Sequence, residues 1–157
     1  AMADSRPIIL GIAPAEGTLP WSPKTRSGQM LIELAGAKSY QDLQRSYHLQ
    51  NLCKAPLDET FAYDPKQLRK ALQSAADLLV LDPSTRYILV GYEVVRALGI
   101  NGLPTAGRKT LVPFRWYQNR HAVWMALMPH PSGRNRWYND RANRMLCAAF
   151  LRGIENA

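Results

Sequence analysis

Short apolar runs alternate with helix-patterned segments along this chain, and that alternation restricts the fold more than any other feature. Residues 7–12 (Pro-Ile-Ile-Leu-Gly-Ile), 87–90 (Tyr-Ile-Leu-Val) and 122–128 (Ala-Val-Trp-Met-Ala-Leu-Met) are continuous apolar runs. Such runs suit parallel strands buried on both faces. Residues 47–53 alternate in character and predict a further strand. Helical patterns lie between them. One begins with Ser27 as N-cap and ends at Gly36. A second covers residues 39–45. A third starts at Asp64-Pro65, a cap followed by proline at the first helical position, with Leu68, Leu72, Ala75, Ala76 and Leu79 as its apolar stripe. A fourth carries Val94, Val95 and Leu98, and a last one covers residues 140–153. Strand–helix alternation of this kind predicts an α/β fold: a three-layer α/β/α sandwich on a short, mostly parallel four-stranded central sheet. Residues 110–114 are at most an edge strand, because Pro113 argues against a central position. No linker or repeat divides the chain, so residues 1–157 read as one domain, with Ala1 before Met2 an expected expression scar.

In such folds the loops after the strands gather at the carboxyl edge of the sheet, where ligands bind. Here those loops comprise residues 13–26, 51–63, Gly91 and 130–138. The last is the most distinctive: Pro129-His130-Pro131-Ser132-Gly133-Arg134-Asn135-Arg136-Trp137-Tyr138. It presents a histidine at a strand end, then a stiff turn, then arginines and aromatics suited to phosphate contact and base stacking. A histidine in such a loop also has a purely structural reading.

The charge points the same way. The net charge is +8 and the isoelectric point near 9.8. After residue 100, nine basic residues (Arg108, Lys109, Arg115, Arg120, Arg134, Arg136, Arg141, Arg144 and Arg152) face only Asp140 and Glu155, and they interleave with Trp116, Tyr117, Trp124, Trp137 and Tyr138. A basic surface carrying aromatics is the electrostatic footprint of a nucleic-acid binder, the alternative being a solvated surface or another polyanion. The apolar runs are far shorter than the roughly 20 residues of a membrane span. The first residues lack the form of a signal peptide. Two cysteines, Cys53 and Cys147, fall short of a four-cysteine metal or cluster site and read as buried free thiols of a cytoplasmic protein. DNA is the expected partner, with neither membrane nor metal involved and a monomer as the expected state.

Several segments, in order along nearly the whole chain, resemble the motifs of the uracil-DNA glycosylase superfamily. Gly11-Ile12-Ala13-Pro14-Ala15 resembles the first motif, closest to its form in the family-5 branch, and Ser27-Gly28 is similar to that branch as well. Asn51-Leu52-Cys53-Lys54 followed by Pro56 resembles the strand-end segment whose Asn reads the flipped base. Ile88-Leu89-Val90-Gly91 resembles the third strand, and His130-Pro131-Ser132-Gly133-Arg134-Asn135 resembles the His-Pro-Ser loop. The resemblance implies a cofactor-free, monofunctional glycosylase that flips a base and hydrolyses its N-glycosidic bond. Under it, Glu16 and His130 are the catalytic candidates and Ala13, Trp21 and Asn51 the base-binding ones. Ser132, Gly133, Arg134, Asn135, Arg136 and Trp137 are the DNA-binding candidates.

The chain also departs from that pattern. Ile12 and Ala13 stand where members acting on uracil usually carry Asp, Asn or Glu. The following loop, Ser22-Pro23-Lys24-Thr25-Arg26, has no carboxylate, the Phe that stacks on uracil is missing, and so are the cluster-binding cysteines. Glu16 is the remaining first-loop acid, either positioning water and stabilising a cationic sugar or simply solvated. Trp21 either stacks on a base or packs onto the core, and Asn51 either reads a base or ends a strand. The pattern implies a uracil-like or modified pyrimidine as substrate, with a hypermodified phage base as one form. A catalytically inactive DNA-recognition module is the alternative.

Overall fold

The computed structural model describes residues 6–15, 17–58, 64–99, 111–132 and 136–155. The protein is α/β, with a five-stranded, mostly parallel sheet. In chain order the strands are β1 (Ile8–Gly11), β2 (His48–Asn51), β3 (Arg86–Val90), β4 (Trp116–Gln118) and β5 (Trp124–Met128). Their spatial order is β2-β1-β3-β5-β4. The β2–β1, β1–β3 and β3–β5 pairs are parallel, and β4 runs antiparallel to β5.

Five strands, not four, make the sheet. The extra one is β4, an edge strand that lies just beyond residues 110–114, where the sequence allows at most an edge strand. Pro113 itself forms only an isolated parallel bridge to Leu127. An antiparallel partner needs only a short turn, and the turn is encoded by Asn119. Its side-chain oxygen accepts from the amides of His121 at 2.9 Å and Val123 at 3.0 Å, while Ala122 takes a positive φ of 63°.

The described helices are α1 (Arg26–Ala35), α2 (Tyr40–Ser46), α3 (Pro65–Leu78), α4 (Tyr92–Leu98) and α5 (Arg141–Glu155), with a 3-10 turn at Arg136–Asn139. Asp64 caps α3, accepting from the Lys66 amide at 3.0 Å, and Gly36 ends α1 at φ 70°. The α1 cap is Thr25 rather than Ser27: the Thr25 hydroxyl accepts from the Gly28 amide at 3.0 Å and donates to the Ser22 carbonyl at 2.7 Å. Thr25 therefore closes the preceding loop as well as starting the helix, and Ser27 lies one residue inside it.

Alternate residues of the strands feed two apolar clusters. Ile9, Ile88, Val90 and Met128 pack with Leu31 and Leu34 of α1, Leu43 of α2, and Cys147 and Leu151 of α5. Leu10, Tyr87, Leu89, Met125 and Leu127 pack with Leu72 of α3 and Val94, Val95 and Ala97 of α4. Of the α3 stripe only Leu72 is fully buried. The two thiols are free; Cys147 is buried and Cys53 half-buried. No helix among the described residues is long and apolar enough to cross a membrane.

Candidate functional site

The carboxyl ends of β1, β2 and β5 converge on one pocket of about 130 Å³. Its walls are Ile12, Ala13, Pro14, Ala15, Trp21, Ser22, Thr25, Ser27, Asn51 and His130. An apolar cavity of about 150 Å³ admits a benzene ring, so this space matches one small heterocycle. Among the described residues, no carboxylate lines these walls.

The backbone dictates why these side chains meet. Gly11 and Asn51 are register partners at the ends of β1 and β2. The ladder continues past the strands, with the amides of Leu52 and Cys53 donating to the carbonyls of Gly11 and Ile12 at 2.9 and 2.8 Å. Asn51 is thereby fixed beside the first loop. Trp21 reaches the same place from the loop before α1. It adopts φ 54°, an unusual conformation for a bulky residue, and is only 7% exposed. A Cβ on Gly11 would come within 2.6 Å of both Trp21 Cζ2 and Asn51 Oδ1. A Cβ on Gly28 would come within 2.5 Å of the Trp21 carbonyl oxygen. Gly11 therefore provides the room in which the indole and the amide sit, and Gly28 the room for the backbone of the loop that carries Trp21.

His130 enters from the third side, two residues past the end of β5. Its ring lies 5.6 Å from the Trp21 ring, tilted by 38°. Burial lowers its pKa below the ordinary histidine value, because a cation would be poorly solvated there. The ring is thus neutral at pH 7, and a neutral imidazole has one N–H to donate. The histidine's position is held from behind by the Tyr138 hydroxyl, which donates to the Pro129 carbonyl at 2.6 Å. The amino end of α1 also opens onto the pocket through Thr25 and Ser27, adding the partial positive charge of a helix start.

Two buried donors on these residues are unmatched. Trp21 Nε1 and Asn51 Nδ2 are buried and make no hydrogen bond. Buried polar groups are nearly always paired, so such atoms mark a strain or a missing partner.

Of the residues singled out in the sequence, Ala13, Trp21, Asn51 and His130 come together in this pocket. Glu16, Gly133, Arg134 and Asn135 lie outside the described residues. Ser132 is half-buried two residues past His130, and Arg136 is exposed. Trp137 is half-buried in the core, 5.5 Å from the Phe114 ring and edge-on to Tyr138 at 4.8 Å. Arg144, one of the basic residues, is engaged in the fold: it donates to the Tyr138 carbonyl at 2.7 Å. Arg86 sits 5.7 Å over Trp116, at the opposite end of the sheet from the pocket. Sequence reasoning missed Ser22, Thr25 and Ser27 as pocket walls. The signal lay in the Ser-x-x-Thr spacing, which ties the loop into the helix start.

A wide groove of about 1030 Å³ runs along the free edge of β2 and shares Asn51 with the pocket. Its walls are mainly aliphatic, among them Leu49, Leu52, Leu78, Leu79 and Val80. Among the described residues no group of three or more His, Cys, Asp or Glu side chains is placed to hold a metal ion. The chain matches no protein-family model and no curated protein.

Proposed function

We propose that the protein is a monofunctional DNA glycosylase that takes a flipped, uracil-like or modified pyrimidine into the pocket and hydrolyses its N-glycosidic bond. The observation that carries this reading is the meeting of Asn51, Trp21 and His130 around a space the size of one ring, at the carboxyl edge of the sheet. The resemblance to uracil-DNA glycosylases predicts that these three segments meet. The reading assumes a three-layer α/β/α sandwich, supported by apolar clusters on the two faces of the sheet.

In this reading the base enters edge-on to Asn51. Water adds to C1′ of the sugar as the bond from C1′ to the base nitrogen breaks. The bonding electrons leave with the base, and water's proton passes to solvent or to the departing base. Neutral His130 donates a hydrogen bond to the base oxygen on which negative charge grows, in a dry site where such a bond is strong. Glu16 would position the water and offset the cationic sugar. Exposed Arg136 and the loop before it would hold the phosphates. A hypermodified phage base would serve as substrate if its substituent pointed out of the pocket.

A second reading is a DNA-recognition module with an inactive site. It is favoured by the absence of any carboxylate from the described walls of the pocket. Incubation with single- and double-stranded oligonucleotides bearing uracil, hydroxymethyluracil or hydroxymethylcytosine, followed by alkali, separates the two. Strand breaks at one base, lost in His130→Ala and Glu16→Ala, establish the glycosylase. Salt-sensitive binding without breaks on any of them establishes the module.

A further inference from the structure

From Val94 to Asn139 the chain carries seven Arg and Lys and no Asp or Glu. The β4–β5 hairpin lies inside this stretch. Its second strand is buried from Met125 to Met128, yet Trp124, which opens it, is 42% exposed. The sheet register sets what surrounds that indole. Trp124 is the antiparallel partner of Gln118 on β4 and the parallel partner of Arg86 on β3. Register partners point to the same face of a sheet, so an amide, an indole and a guanidinium stand abreast. Further along this face, Ile88, Val90 and Met128 pack with α1 and α5, and the Phe150 ring of α5 lies 5.5 Å from that of Trp116. The row beyond stays open: Gln118 is exposed and Arg86 half-buried.

The charges around the row are of one sign. Arg86 lies over Trp116 at 5.7 Å and forms no ion pair among the described residues. A stacked guanidinium keeps its fork of N–H groups for an anion. The turn adds Arg120 and His121, both exposed. Asp82, ahead of β3, is occupied within its own turn, where it accepts from the Ser84 amide at 2.9 Å and the Ser84 hydroxyl at 2.7 Å. A lone exposed tryptophan is ordinary. One set beside arginines in an acid-free stretch has the makeup of a base-stacking platform with phosphate-binding groups at its side. Bases in a duplex are already stacked on each other, so such a platform suits an unpaired strand. Four residue steps of β5, about 13 Å, separate Trp124 from Met128, and the pocket lies beyond. The row is therefore distinct from the pocket.

We propose that this face of the hairpin is a second nucleic-acid contact, in which a base of single-stranded DNA stacks on Trp124 while Arg86 and Arg120 hold the adjoining phosphates. The inference goes beyond the pocket and takes from the glycosylase reading only the choice of DNA.

The test is nitrogen–proton correlation spectroscopy of the indole N–H groups in the full chain, with the Trp124 signal identified by its loss in Trp124→Phe. The probes are oligothymidylate, oligouridylate and polyglutamate at equal charge. The Trp124 signal is expected to move with oligothymidylate and to stay still with polyglutamate. Trp124→Ala is expected to lose about tenfold in oligothymidylate affinity, the effect of one stacked base, and Trp124→Phe, which keeps an aromatic face, to recover most of it. Should Trp124→Ala not fold, Arg120→Glu on the exposed turn is expected to give a comparable loss by setting a carboxylate beside the row. A Trp124 signal that stays still while others move puts the DNA on another face, and one that moves as far with polyglutamate marks a plain anion-attracting surface. Either result overturns the proposal, as does an oligothymidylate that moves no signal. A response to oligouridylate alone overturns DNA as the occupant. Oligothymidylate contains no uracil, so a failure of uracil excision removes the glycosylase reading and leaves this contact standing.

Discussion

The Tyr138 hydroxyl donates to the Pro129 carbonyl at 2.6 Å, and so ties the 3-10 turn to the backbone immediately before His130. The bond is buried, and the same hydroxyl lies 3.7 Å from Cys147 Sγ. Burial pushes the phenol far above its ordinary pKa, so it remains a donor at every working pH. Tyr138→Phe keeps the ring and removes the donor, leaving a buried carbonyl without its partner. The expected loss is about 1–3 kcal/mol of stability, read by denaturant unfolding. In the glycosylase reading excision falls as well, by about tenfold for a misplacement worth about 1.4 kcal/mol, because His130 loses its anchor. An unchanged unfolding midpoint would show that the bond does not hold the loop.

Gly11 and Gly153 make a matched pair. A Cβ on Gly11 would strike Trp21 and Asn51, whereas one on Gly153, in the last turns of α5, meets nothing within 4 Å. Gly11→Ala is expected to destabilise by about 1–3 kcal/mol through overpacking and to displace the Trp21 and Asn51 side chains. Gly153→Ala is expected to stabilise by about 0.5–1 kcal/mol through helix propensity. Thermal unfolding of the two variants reads the contrast. Opposite signs are required; equal effects would mean that Gly11 is not packed against the indole.

Much of this arrangement can be read from the sequence. Pro7 to Ile12 and Tyr87 to Val90 announce buried strands because parallel strands covered on both faces are apolar at every position. The strand at Trp116–Gln118 is hidden because three residues carry no period, and only the Asn119 turn betrays it. Asn51 and His130 are legible as strand-end residues. That Trp21 lies against Asn51 is not, since it depends on a left-handed residue that sequence rules assign to glycine or asparagine. The basic count overstates the free cationic surface, because Arg144 serves the Tyr138 carbonyl, and Trp137 is packed into the core.

Burial lowers the His130 pKa in the folded protein. The unfolded chain then binds more protons than the folded one between that lowered value and about 6.5. Stability therefore rises with pH through this window, and the contribution is complete above about 6.5 and lost progressively as pH falls. No other titratable side chain is among the described walls of the pocket. Denaturant unfolding between pH 5 and 7 is expected to show a positive slope that flattens in His130→Asn. In the glycosylase reading, the rate stays level below pH 6.5, where a solvent-exposed imidazole would already be charging. A slope unchanged in the variant would mean that other groups dominate the pH dependence.

Arg136 is an exposed cation six residues past His130. It stands at the start of the 3-10 turn that Tyr138 locks to Pro129. Its backbone is thus held while its side chain is not engaged in the core, the situation of a phosphate contact. Arg144 supplies the contrast, because its guanidinium is already committed to the Tyr138 carbonyl. Arg136→Ala is expected to weaken DNA binding about equally for all sequences and to reduce the salt-dependence slope by about 1, with unfolding unchanged. Arg144→Ala is expected to lower stability instead. Fluorescence anisotropy with a labelled oligonucleotide, across a series of salt concentrations, separates the two. If Arg136→Ala leaves the slope intact, Arg136 is not a phosphate contact.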